Sequence, residues 1–160
     1  MLDAVSTDAL RDRLRACCAA DAWIEAVIAG RPYAGRAELA TTSDAATEAL
    51  DDVGLAQALA GHPRIGERAD GAWSRQEQAG VADAESGVRA AIAEANAEYE
   101  RRFGHVYLVC ATGLGAEELL AICQARLHNS AEAEREVVLA ELAKINRLRL
   151  TKLLDAEESR

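Results

Sequence analysis

Apolar residues recur at helical spacing along most of the chain. Val88, Ala91, Ala95 and Tyr99 lie three or four positions apart, and they are followed by Gly104, a residue typical of a helix end. The same spacing predicts helices at about 7–20, 23–29, 36–60, 74–80, 83–103, 116–128 and 131–157. The pattern therefore predicts an all-α fold, a single compact domain over residues 1–160 with about seven to eight helices.

The predicted helix at 36–60 is expected to contain an internal break. Ser43 and Asp44 are residue types that favour the first position of a helix, so they are expected to cap a second segment. Gly54 is expected to mark a bend.

Two other stretches interrupt the helical pattern. Residues 61–73 contain three glycines and a proline, and His62 precedes that proline, which favours extended or turn backbone. Residues 106–111 form a short apolar run that fits either a strand or a buried extended segment. Since loops carry functional residues more often than helices do, 61–73 is the first candidate for a site.

Composition narrows the function classes. The formal net charge is −9 and no basic run occurs, which argues against a nucleic-acid partner. No apolar stretch approaches the roughly 20 residues of a membrane span, and charged residues interrupt the start where a signal peptide would be apolar. Cys17, Cys18, Cys110 and Cys123 lack a zinc-binding spacing and are expected to be buried thiols in a reducing compartment. We expect a cytoplasmic protein.

Ser74 and Glu77 have the spacing of a capping box. In that interpretation Ser74 precedes a helix, accepts from the backbone of Glu77, and Glu77 reaches back. The functional alternative is that Glu77 faces a pocket formed with the preceding loop. The spacing alone favours the capping box, because such boxes are common.

His62 is the first candidate for proton transfer, since histidine titrates near neutral pH. His105 and His128 are weaker candidates. A metal-dependent hydrolase using His62, Glu67 and Glu77 is one alternative, although no usual metal-ligand spacing is present. A helical adaptor without enzymatic activity is another.

Two arginines occupy apolar faces of predicted helices. Val138, Leu142 and Ile145 form a stripe whose next position is Arg149, and Arg126 is placed similarly on the preceding helix. A guanidinium on such a face must pair with a carboxylate or meet a ligand. The second possibility fits an anionic or urea-like group, which a forked donor would bind.

Several segments resemble the OHCU decarboxylases (2-oxo-4-hydroxy-4-carboxy-5-ureidoimidazoline decarboxylases). The matching pieces, in order, are 31–33 (RPY), 59–67 (LAGHPRIGE), 73–80 (WSRQEQAG), Asn96, 99–104 (YERRFG), 109–112 (VCAT) and 145–150 (INRLRL). The resemblance covers nearly the whole chain.

The resemblance implies an all-helical decarboxylase that makes (S)-allantoin in urate catabolism, forms a homodimer and needs no cofactor or metal. It implies that His62 is the main catalytic residue and that Glu77 is its carboxylate partner, which reverses the preference for the capping box. The residues it assigns to the substrate site are Pro63, Ser74, Gln78, Val109, Ala111 and Arg149, with Val109 and Ala111 acting through backbone groups.

Overall fold

A computed structural model describes residues 2–67, 72–82 and 84–159 of the chain. Part of the predicted loop, 68–71, and the predicted helix start at 83 lie outside the described residues.

The described residues form only helices, turns and irregular segments. After a 3₁₀ turn at Leu2–Ala4 come α1 (Thr7–Cys17), α2 (Asp21–Ala29), α3 (Arg36–Glu48), α4 (Asp52–Ala60), α5 (Ala72–Glu77), α6 (Ala79–Ala82), α7 (Ser86–Phe103), α8 (Ala116–Arg126) and α9 (Ala131–Glu158). The all-α prediction is confirmed. None of these helices is long and apolar enough to cross a membrane.

The predicted break in 36–60 exists, but not where the sequence suggested. Helix α3 runs without interruption through Ser43, which is buried and accepts a 3.2 Å hydrogen bond from Trp23 Nε1 at its hydroxyl. Helix α4 begins after Asp51, whose carboxylate accepts from the Gly54 backbone N–H at 2.8 Å. The cap predicted at Ser43 and Asp44 was therefore wrong, and Gly54 lies in the first turn of α4 rather than at a bend.

Helix α5 begins at Ala72, so Ser74 is its third residue rather than the residue before the helix. The predicted helix start at Ser74 was two residues too late, and Ser74 is not a capping residue. Gly104, in contrast, ends α7 in the left-handed conformation (φ +80°), as the sequence predicted.

The chain divides into two compact units, Met1–Gly61 with Leu142–Arg160, and His62–Glu141. In the first unit, Trp23 and Ile24 of α2 and Leu10 and Leu14 of α1 are fully buried. The buried Asn146 of α9 donates to Thr47 Oγ1 at 3.1 Å, which joins α9 to α3 within this unit.

In the second unit, apolar residues of α6, α7, α8 and the segment 106–111 share one core, which includes Val81, Ile92, Val109 and Leu119. Residues 106–111 have no strand pairing and no helical pattern, which excludes the strand alternative and leaves a buried segment of irregular backbone.

A buried ion pair lies in this second core. Arg126 of α8 bonds to the Glu134 carboxylate of α9, and their side chains are 7% and 1% exposed. Glu134 also accepts from the Tyr99 hydroxyl and from Asn129 Nδ2. Burial alone would raise the pKa of Glu134, but hydrogen bonds from these donors outweigh it and lower that pKa.

Arg126 therefore pairs with a carboxylate, which is the first of the two possibilities for an arginine on an apolar helix face. The alternative that Arg126 meets a ligand was wrong, because its guanidinium is occupied within the core.

Helix α6 approaches the turn before α8 very closely at Gly80. A Cβ atom at Gly80 would lie 2.2 Å from the Leu114 carbonyl oxygen, far inside van der Waals contact. Only glycine permits this approach. The approach brings α6 against the turn that follows residue 111.

Gly80→Ala is expected to destabilise the protein by about 1–3 kcal/mol, because the backbone must move to admit the methyl group. Urea unfolding followed by far-ultraviolet circular dichroism measures the effect. Gly87→Ala is the matched control, since a Cβ there meets nothing within 4 Å. Equal stability of the two variants would contradict the packing argument.

Candidate active site

The loop after His62 and Pro63 folds back on itself. Both residues are half-buried, and they follow directly on α4. Gly66 has φ +88°, a conformation that side-chain-bearing residues rarely adopt, and the Glu67 N–H donates to the Arg64 carbonyl at 3.2 Å. A turn thus forms at residues 64–67, and the positive φ of Gly66 permits it.

Two side-chain amides fix this loop from outside. The Gln78 Oε1 accepts from the Gly66 N–H at 3.1 Å, and its Nε2 donates to the Arg64 carbonyl at 3.5 Å. Asn96 of α7 is buried and donates to the Ile65 carbonyl at 2.8 Å. Since an irregular loop has no repeating backbone bonds, these amides supply the partners that its peptide groups need.

Arg64 occupies the outer side of the loop. Its guanidinium makes a two-point contact with Glu100 of α7, at 2.5 and 3.1 Å, and lies 3.5 Å from Glu67. Arg64 and Glu67 are about half exposed, so these pairs lie at the surface.

Helix α5 and Gln78, the residue after it, place three predicted site residues on one face. Ser74, Glu77 and Gln78 are spaced by three and four positions, so they project from the same side of the helical turn. Glu77 is buried, and Ser74 and Gln78 are partly buried, whereas Arg75 and Gln76 are exposed. This face therefore points into the protein, and Gln78 ties it to the loop.

Val109 and Ala111 lie in the irregular segment of the same unit and are buried. The segment is held at its backbone, because Arg126 Nη1 donates to the Leu108 carbonyl at 2.8 Å and the Cys110 N–H donates to Glu141 Oε2 at 3.4 Å. The Ala111 carbonyl accepts from the Leu114 N–H at 3.0 Å.

Arg149 belongs to the first unit. Its side chain is buried, and its Nη1 donates to the Cys17 carbonyl at 3.2 Å. Burial raises the pKa of the Cys17 thiol to about 12, although the nearby guanidinium acts in the opposite direction. The thiol is therefore protonated at neutral pH and is not a nucleophile.

The metal-site alternative gains no support from the part of the chain that the structure describes. That part brings together no three His, Cys, Asp or Glu side chains that would hold a metal ion. Glu67 faces Arg64 at the surface, whereas Glu77 is buried.

Seven of the eight predicted site residues thus lie in the second unit, and Arg149 lies in the first. Sequence reasoning missed the two loop contacts of Gln78 and gave Asn96 no role. The available signal was a polar residue on the buried stripe of α7, next to Ala95.

Comparison with known proteins places the chain in a family. The OHCU decarboxylase family model matches residues 3–151. The 2-oxo-4-hydroxy-4-carboxy-5-ureidoimidazoline decarboxylase of Amia calva is 32% identical over 136 residues, covering 81% of this chain and 78% of that protein. Its namesake from Mus musculus is 30% identical over 138 residues, covering 82% and 78% respectively.

A longer relative and a solved structure agree. The uric acid degradation bifunctional protein TTL of Arabidopsis thaliana is 25% identical over 151 residues, and the match spans 46% of its length. The crystal structure of an OHCU decarboxylase in the presence of (S)-allantoin aligns with a TM-score of 0.80 at 23% identity, covering 90% of this chain and 98% of that one. The fold is therefore shared. The alternative of a helical adaptor without enzymatic activity does not hold, because this chain belongs to the OHCU decarboxylase family, a family of carboxy-lyases.

Proposed function

We propose that this protein decarboxylates 2-oxo-4-hydroxy-4-carboxy-5-ureidoimidazoline to (S)-allantoin in urate catabolism, with His62 and Glu77 as the acid–base pair. The observation that carries the proposal is the family match over residues 3–151, combined with a buried carboxylate beside the loop that follows His62. The proposal includes a homodimer acting in the cytoplasm on this small molecule, and one domain over residues 1–160.

The loop contacts of Gln78 support a short distance between His62 and Glu77. Gln78 follows Glu77 directly and bonds to the backbone of Arg64 and Gly66. Because His62 precedes Arg64 by two residues, their Cα atoms are at most about 7 Å apart. We propose that the His62 imidazole and the Glu77 carboxylate meet beside this loop, an arrangement that suits proton transfer.

The chemistry of the substrate explains why protein side chains are sufficient for its decarboxylation. The substrate carries a hydroxyl and a carboxylate on one ring carbon, beside a C=N bond. When the bond to the carboxylate breaks and CO₂ leaves, its electron pair forms a C=C bond and the imine nitrogen takes a proton. The substrate is its own electron sink, so we propose that no cofactor takes part.

His62 acts on the protons of this sequence. As a general base it takes the hydroxyl proton, and the ureido-bearing carbon then takes a proton from one face, which yields a single enantiomer. Glu77 orients the imidazole and stabilises its protonated form. Burial of Glu77 strengthens this interaction, since charges interact more strongly away from water.

The remaining residues bind and orient the substrate. Gln78 has used one hydrogen of its amide group and one lone pair of its oxygen on the loop, so each end retains capacity for a ureido group. Arg149 supplies a forked donor for a carbonyl or carboxylate. Pro63, Ser74, Val109 and Ala111 line the site, the last two through backbone groups.

His62→Ala is expected to lower the rate of allantoin formation by about 10²–10⁴-fold, the usual contribution of a general acid–base residue. The substrate is generated in place from urate with urate oxidase and hydroxyisourate hydrolase, and circular dichroism follows chiral allantoin. His128→Ala, at an exposed histidine after α8, is the control. Slow racemic product with the wild type would overturn the proposed function.

Glu77→Gln separates a catalytic role from a structural role. If Glu77 tunes His62, kcat falls while KM and the thermal midpoint change little. If it mainly stabilises the fold, the midpoint falls and kcat stays normal. Steady-state kinetics and a thermal melt decide, and Glu117→Gln removes an equal charge at an exposed position as the control.

Arg149→Lys keeps the charge but loses the fork, so substrate binding is expected to weaken by about tenfold or more. The quantity measured is KM, together with the Kd of (S)-allantoin by calorimetry. Arg147→Lys is the control, because Arg147 lies two residues away and pairs with Asp44 at the surface. Unchanged KM and Kd in the Arg149 variant would remove Arg149 from the site.

A further inference from the structure

We propose that Arg126 is a positioning residue, which holds the Leu108 peptide group so that the backbone of Val109 faces the substrate. The inference rests on the proposed function, because it takes Val109 and Ala111 as substrate contacts. Arg126 itself lies in the core and is assigned no contact with the substrate.

All three guanidinium nitrogens of Arg126 are in use. Nε and Nη2 donate to Glu134 Oε1 at 2.8 and 2.5 Å, and Nη1 donates to the Leu108 carbonyl at 2.8 Å. The planar fork makes these bonds point in fixed directions. The position of Glu134 therefore determines where the Leu108 carbonyl lies.

The fork is itself held in place from several sides. Its central carbon lies 5.0 Å from the centroid of the Tyr107 ring and 5.7 Å from that of Tyr99. The Tyr99 hydroxyl donates to Glu134, and the Tyr107 hydroxyl donates to the Leu119 carbonyl at 2.9 Å. With Arg126 and Glu134 almost fully buried, the guanidinium has little freedom to move.

The planar peptide bond between Leu108 and Val109 fixes the direction of the Val109 N–H as well. In a trans peptide the C=O of one residue and the N–H of the next point in opposite directions. The Leu108 carbonyl faces Arg126, so the Val109 N–H faces away from it. The Cys110 N–H faces Glu141, so the Val109 carbonyl faces away from that carboxylate.

Both polar groups of Val109 are thereby turned from the two side chains that anchor the segment. The bond from a cationic donor to the Leu108 carbonyl also polarises that peptide, which makes the Val109 N–H a stronger donor. The Ala111 carbonyl accepts from the Leu114 N–H within the turn, and we assign the Ala111 N–H to the substrate as the second donor.

The test compares three variants. Arg126→Lys keeps a charge for Glu134, but one ammonium nitrogen cannot occupy the positions of three guanidinium nitrogens. Arg126→Met combined with Glu134→Gln removes the ion pair, its charges and the bond to Leu108 together, which often preserves stability. Arg147→Lys is the matched control, because it makes the same change of side chain at an arginine that pairs with Asp44 at the surface.

The readouts are kcat/KM and the amide resonances of Val109 and Ala111 in ¹H–¹⁵N spectra, with (S)-allantoin as the probe. We expect both Arg126 variants to lose about tenfold to a hundredfold in kcat/KM while remaining folded, because small displacements of a binding group have such effects. The allantoin-induced shift of the Val109 amide should shrink in them and persist in Arg147→Lys.

Two results would overturn the inference. One is wild-type kcat/KM in folded Arg126→Lys and in the double variant. The other is a wild-type protein that forms (S)-allantoin although the Val109 amide does not respond to the probe, which would leave the proposed function intact. A wild-type protein that forms no chiral allantoin would instead refute the proposed function.

Discussion

The buried pair of Arg126 and Glu134 connects four separate parts of the second unit. Glu134 comes from α9, Arg126 from α8, Tyr99 from α7, and the Leu108 carbonyl from the irregular segment. Removing one member of such a pair costs about 3–5 kcal/mol, because the other charge stays buried without a partner. The pair itself contributes little over apolar side chains of the same size. Its effect is to fix one arrangement of these four parts.

The loop after His62 has the same need for partners at its backbone. Neither residues 62–67 nor residues 106–111 are helical, so their peptide groups must find partners outside a helix. Side chains of Asn96 in α7, Arg126 in α8 and Gln78 in the turn after α5 supply some of them. These contacts hold the two irregular segments in place, and the segments carry His62, Val109 and Ala111 of the proposed site.

The sequence predicted the helices better than their ends or the roles of polar residues. Helical spacing of apolar residues reports which face is buried, and it identified α7 and its glycine end correctly. It did not locate the start of α4, because Asp51 and Ser43 are both good capping residues and only packing shows that Ser43 meets Trp23. Periodicity also left two alternatives open for 106–111, a strand and a buried extended segment, because a short apolar run has the same hydrophobic pattern in both.

The two arginines on apolar helix faces show that local sequence also fails to predict the roles of polar residues in the site. Arg126 and Arg149 follow comparable apolar stripes, and local sequence gives no reason to treat them differently. The partner of Arg126 is Glu134, eight positions along the chain and on another helix, so the pairing depends on the turn between α8 and α9. The family resemblance selected Arg149 before any contact was known, because it carries information about position that the local pattern lacks.

The net charge of −9 gives Arg149 a specific task in the proposed reaction. The overall field of the protein disfavours an anionic substrate, but at physiological ionic strength it is screened over about 8 Å. Binding therefore depends on charges within that range, where a buried guanidinium interacts through less water than a surface one does. Arg64 and Arg147 are paired with carboxylates at the surface, and Arg126 is paired within the core. Arg149 donates to the Cys17 carbonyl at 3.2 Å, and in the proposed reaction its guanidinium also binds a carboxylate or carbonyl of the substrate.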